Sequence, residues 1–115
     1  MRVKVKVQIY CGDAIAMGPG KAALLDAIGR DGSISAAARA MGMSYRRAWM
    51  LVDTMNRCFA QPLVATRPGG GADLTADGAA VLGAYRAMVA QVEGAAAPPG
   101  PIARRLRDAP LAPAG

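Results

Sequence analysis

With 115 residues and a 53% apolar share, the chain is long enough for one compact domain around a single core. One Trp, three Tyr and one Phe leave that core to Leu, Ile, Val, Met and Ala, and 14 Lys and Arg against 8 Asp and Glu give a net charge of +6, which favours a polyanion, nucleic acid or an anionic surface, as partner. Histidine is absent, removing the commonest general base and a favoured metal ligand, and carboxylates scattered singly from Asp13 to Asp108 offer no acid–base pair. The reading is therefore of a protein that is not an enzyme and needs no cofactor.

The N-terminal residues Arg2 to Tyr10 alternate, with Val3, Val5, Val7 and Ile9 on one face and Arg2, Lys4, Lys6 and Gln8 on the other. That period of two predicts a half-buried strand. The cationic face has two readings, a solvated edge that discourages strand pairing or a direct contact with DNA. Cys11-Gly12-Asp13 turns the chain, and Ala14–Met17 returns as a short second strand. The start of the chain lacks the continuous apolar stretch of a signal peptide, and no segment is long and apolar enough for a membrane span. Cys11 and Cys58 belong to no metal-spaced or CxxC pattern, so the expectation is a cytoplasmic protein with reduced thiols.

Gly18-Pro19-Gly20 breaks the strand and starts a helix carrying Leu24, Leu25 and Ile28, which Asp31-Gly32 ends. Lys21 near its start faces a phosphate or simply solvent. Ser33-Ile34-Ser35 opens a short helix through Ala36–Met41, Gly42-Met43 breaks it, and Ser44 caps a third helix from Tyr45 to Phe59. Ala37, Ala38, Met41, Ala48 and Leu51 face inward, and small alanines let two steeply crossed helices approach closely. Short helix, glycine turn, longer helix is the helix-turn-helix order. Trp49, the only tryptophan, is predicted to anchor the third helix in the core.

Pro62–Thr66 reads as a strand, Arg67-Pro68-Gly69-Gly70-Gly71 as a loop, and Ala72-Asp73-Leu74 as the returning strand. Thr75 then caps a long helix over Ala76–Glu93, with an apolar stripe of Val81, Leu82, Tyr85, Met88, Val89 and Val92. From Gly94 the chain turns to Ala, Pro and Gly. This tail is read as largely irregular, with a short helix over Ile102–Asp108 as an option and Arg104, Arg105 and Arg107 as a positive cluster. The fold class is α+β, mainly α: a winged helix-turn-helix with an N-terminal β-hairpin and a long C-terminal helix. Residues 1–93 form the DNA-binding domain and residues 94–115 the tail.

An α-helix fits the major groove, and the side chains at its N-terminus meet base edges. Here those are Ser44, Tyr45, Arg46 and Arg47. Asp53 and Arg57, four residues apart, suit a surface pair, with phosphate as a second partner for Arg57. Arg67, Gly69, Gly70 and Gly71 form either a wing that approaches a phosphate or minor groove, or a plain flexible hairpin tip. The glycines lack the lysine and hydroxyl ending of a P-loop.

Gly32 to Ala38, then Gly42-Met43-Ser44-Tyr45-Arg46-Arg47-Ala48-Trp49, followed in order by Met55-Asn56, Leu63-Val64, Gly69-Gly70-Gly71 and Leu74-Thr75, resemble the DNA-binding domain of ModE-type molybdate-responsive regulators. LysR-type regulators share the Ser33–Ala38 theme, but Ser44–Trp49 and Met55-Asn56 fit the ModE-type pattern better. The resemblance implies a dimeric transcription regulator that reads double-stranded DNA through Ser33, Ser35, Ser44–Arg47 and the wing Arg67–Gly71. Full-length relatives of this type add oxyanion-binding domains. Only the tail follows the long helix here, so the expectation is a homodimeric reader without molybdate-binding domains, with no small-molecule effector and no membrane partner. The alternative is a protein-interaction module that uses the same scaffold to hold a partner protein.

Overall fold

Over the described residues, 2–115 of a computed structural model, the order is β1 (Ile9–Cys11), β2 (Ala14–Met17), α1 (Pro19–Asp31), α2 (Ile34–Ala40), α3 (Tyr45–Cys58), β3 (Val64–Thr66), β4 (Ala72–Leu74), α4 (Ala76–Ala95) and α5 (Gly100–Ala103). Residue 1, the first position of the expected domain, lies outside the described residues. Both pairs of strands are antiparallel hairpins, β1 with β2 and β3 with β4.

Local chemistry sets the helix ends. Pro19 occupies the first turn of α1, and Gly32 closes it by donating its N–H to the Ile28 carbonyl. The Ser33 hydroxyl accepts the Ala36 N–H at 3.0 Å and caps α2. At the other end of α2, Gly42 N–H reaches the Arg39 carbonyl and Met43 N–H the Ala38 carbonyl. That double closure needs a left-handed residue, and Gly42 supplies it with φ 67. The chain then swings directly into α3.

The core is aliphatic, built around Met17, Leu24, Leu25, Ile28, Met55 and Leu63, and no polar or charged residue is buried among the described residues. Ala37, Ala38 and Ala48 are at most 2% exposed, so α2 and α3 cross on small side chains as the alanine pattern predicts. Asn56 fastens α3 to the second hairpin: its Oδ1 accepts the Leu63 N–H at 2.9 Å and the Val64 N–H at 3.2 Å, while its Nδ2 donates to the Val64 carbonyl. The Thr75 hydroxyl donates to the Pro62 carbonyl and accepts the Gly78 N–H, which starts α4 against β3. An Asp26–Arg86 ion pair joins α1 to α4.

Three expectations are corrected. Burial alternates along Arg2–Gln8 as the sequence pattern requires, but the paired strand is only Ile9–Cys11. Its partner β2 is four residues long before Gly18-Pro19 diverts the chain, so the ladder does not continue along the earlier residues. They rest on α4 instead: Val3, Val5 and Val7 are half-buried, Tyr85 donates its hydroxyl to the Val7 carbonyl at 2.8 Å, and Val5 N–H approaches Glu93 at 3.4 Å. Ile9 sits beside a register irregularity and is exposed.

Trp49 does not anchor the core, because it is 49% exposed. The face that α3 buries is Ala48, Val52 and Met55, and a step of about 100° per residue carries Trp49 off that face. A helix crossing lined by alanines also has no room for an indole. In the tail, the short helix is Gly100–Ala103 rather than Ile102–Asp108. Pro101 fits a first helical turn, whereas Ile102 and Leu106 remain exposed with no core to prolong it.

Candidate nucleic-acid interface

Ser44 begins the site. Its backbone is extended (φ -68, ψ 154), and its hydroxyl accepts the Arg47 N–H at 3.1 Å. The first turn of α3 is therefore fixed with Tyr45, Arg46 and Arg47 all exposed. A shallow groove of about 300 Å³, lined by Ser44, Arg46, Arg47, Met50, Leu51 and Thr54, runs along this surface. Arg57 lies further along α3 with its Nε 2.9 Å from Asp53 Oδ2, an exposed pair that partly offsets its charge.

Lys21 lies near the start of α1 and is half-buried. Burial holds its ammonium below the ordinary value of 10.5; the neighbouring Cys58 opposes that shift and the Arg47 guanidinium adds to it. Lys21 thus sits in the field of both Cys58, at the end of α3, and Arg47, near its start. The sequence left Lys21 between phosphate and solvent because Arg47 and Cys58, whose fields reach it, lie 26 or more positions away.

The two cysteines also meet. Burial pushes the Cys58 thiol up, and the nearby Cys11 thiol acts the same way. Both thiols are free.

Ser33 is half-buried and Ser35 exposed at the start of α2. The hairpin tip is tied rather than loose: Arg67 N–H donates to the Gly71 carbonyl at 2.7 Å and Gly70 N–H to the Arg67 carbonyl at 3.3 Å. Arg67 folds back over Gly71 to pair with Asp73. Gly69 and Gly70 form the exposed tip. The first turn of α3 holds Ser44, Tyr45, Arg46 and Arg47 together; Lys21 stands on α1, Ser33 and Ser35 at the start of α2, Arg57 on the far part of α3, and Arg67–Gly71 on the separate hairpin.

Sequence reasoning missed Trp49 and Met50 as surface residues; they are 49% and 53% exposed. The signal was present. Taking buried Ala48 as the reference puts both off the core face by helical spacing alone.

Among the described residues, no helix is long and apolar enough to cross a membrane. The family described as bacterial regulatory helix-turn-helix protein, lysR family, matches residues 21–79, from the first turn of α1 to the first turn of α4. The molybdenum-pterin-binding protein MopB of Rhodobacter capsulatus is 51% identical over 80 residues, 66% of this chain and 30% of its own. The molybdenum transport protein ModE of Azotobacter vinelandii is 42% identical over 76 residues, 63% of this chain and 28% of its own. MopA of Rhodobacter capsulatus, also a molybdenum-pterin-binding protein, is 48% identical over 67 residues, 58% of this chain and 24% of its own. The chain thus spans less than a third of the length of these relatives. With the family match covering more than half of its residues, and with the helix pair and the second hairpin falling inside it, the chain belongs to the bacterial regulatory helix-turn-helix proteins of the lysR family.

Proposed function

We propose that the chain is a cytoplasmic transcription regulator that reads duplex DNA sequence-specifically as a homodimer, through a winged helix-turn-helix in residues 1–93, with residues 94–115 as an appended tail. The observation that carries this is the capped first turn of α3, where Tyr45, Arg46 and Arg47 are exposed together. An arginine there meets guanine O6 and N7 bidentately, while Ser44 and Tyr45 reach phosphates or base edges. Ser33 and Ser35 at the start of α2, Arg57, and the wing residues Arg67, Gly69, Gly70 and Gly71 complete the contact set. Val92 is exposed at the far end of the α4 stripe, which supports that helix as a dimer element. A two-fold dimer then places its half-sites about one helical turn apart.

The relatives' names speak of molybdenum transport and molybdenum-pterin binding. We propose that what this chain shares with such regulators is the reader.

A salt series on a duplex selected from a random library tests the reading, since the log–log slope counts the phosphates neutralised. Arg46→Ala and Arg47→Ala each weaken specific binding by about 1–3 kcal/mol. Lys21→Met weakens all sequences alike and lowers the slope by about one. Unchanged affinity in both arginine variants overturns the assignment of α3 as the reading helix.

A further inference from the structure

The exposed part of α3 is not only cationic. Trp49 is 49% exposed and Met50 53% exposed, one turn beyond Tyr45 and Arg46 on the same helix. An indole and a thioether chain both held in water on the exposed surface of one helix suit a partner that covers them. Whatever covers them must also accept the Arg46 and Arg47 charges, which rules against a plain apolar protein face, because that would bury guanidinium groups without a counter-charge. The major groove of duplex DNA meets both demands. Its phosphates and guanine edges take arginine, and its apolar feature is the thymine C5-methyl group.

Trp49 follows Tyr45 by four residues, so it stands about 6 Å further along the helix axis, within the stretch that a helix seated in the groove lays against successive base pairs. We propose that Trp49 is a specificity-determining residue that reads thymine through its C5-methyl group. This rests on the DNA-reading function proposed above. Trp49 supplies a flat apolar face for one methyl group, while Met50, about 100° round the helix, lies in the shallow groove with Arg46 and Arg47. The remainder of the same helix surface holds the duplex by charge.

The test uses the full chain and the duplex that the wild type selects from a random library. Each thymine of that duplex is replaced in turn by uracil, which deletes only the methyl group. At one or two positions the wild type loses about fourfold in affinity per methyl, the equivalent of uncovering one methylene-sized group. Trp49→Ala binds the thymine and uracil forms at those positions equally, and it keeps a thermal midpoint close to that of the wild type. Because Trp49 is the only tryptophan, wild-type indole emission also changes on binding the thymine duplex and changes less on the uracil form, a reading that needs no variant. A Trp49→Ala protein that still discriminates thymine from uracil as the wild type does overturns the proposal. So does indole emission indifferent to the selected duplex, or a variant whose only change is in self-association. A wild type that selects no duplex sinks the underlying reading as well, and that failure is seen before any substitution is made.

Discussion

Asn56 shows how much one side chain can hold. Its amide makes three hydrogen bonds to the backbone of Leu63 and Val64, two residues that are themselves buried. Truncating it strands two N–H groups away from water, each at a cost of roughly 1–3 kcal/mol. Asn56→Ala therefore lowers the unfolding free energy, and Asn56→Asp does so too at neutral pH, where it keeps the acceptor but sets a carboxylate oxygen against the Val64 carbonyl; urea melts of both variants at neutral and acidic pH measure it, with only the Asp variant recovering as its carboxyl is protonated. Trp49 makes the opposite point. Its size suggested a core anchor, yet half-exposed as it is, its removal leaves no large cavity, and its worth lies at the surface.

At the scale of elements, the second hairpin and α4 meet through a missing side chain. Gly78 is buried, and a Cβ there would run into the Leu63 carbonyl oxygen. Replacing a helical glycine by alanine ordinarily stabilises by about 0.5–1 kcal/mol. At Gly78 the sign reverses, because backbone must move to admit the methyl group, at a cost of about 1–3 kcal/mol. Gly83 on the same helix faces open space and serves as the internal comparison. Thermal melts should show Gly83→Ala rising and Gly78→Ala falling; a rise in both would mean that the α4–β3 contact yields easily. The α2–α3 pair needed no such tertiary knowledge. Ser33, Gly42 and Ser44 are local signals, acting within four residues of themselves, and each appears in the structure where the sequence put it.

For the molecule as a whole, the N-terminal segment is what the fold adds to a bare helix-turn-helix, and Tyr85 holds it. Burial keeps the Tyr85 phenol above its ordinary value of 10.0. Below that pH the folded and unfolded chains both keep the proton and the fold is unaffected. As pH rises past 10.0 the unfolded chain gives up its proton first, so stability falls toward the higher folded value. Tyr85→Phe removes this alkaline slope while losing the bond to Val7. Denaturant midpoints collected from neutral to strongly alkaline pH decide it, and identical slopes in the two proteins would show that Tyr85 ionises freely.

Two kinds of information separate cleanly here. Periodicity, capping serines, turn glycines and proline placement act over a few residues, so the sequence alone determined the order of the elements, the helix-turn-helix, both hairpins and the exposed arginines at the start of α3. Which face of a helix is covered, and what distant residue meets it, depends on how elements cross. Only the tertiary structure turned Trp49 outward, put Lys21 in the field of Arg47, set Cys11 near Cys58, folded Arg67 back onto Asp73, and laid Arg2–Gln8 on α4 instead of in a ladder. The physical reason is common to all of them: burial and pairing are decided by the packing partner, and the partner lies beyond the range of any local pattern.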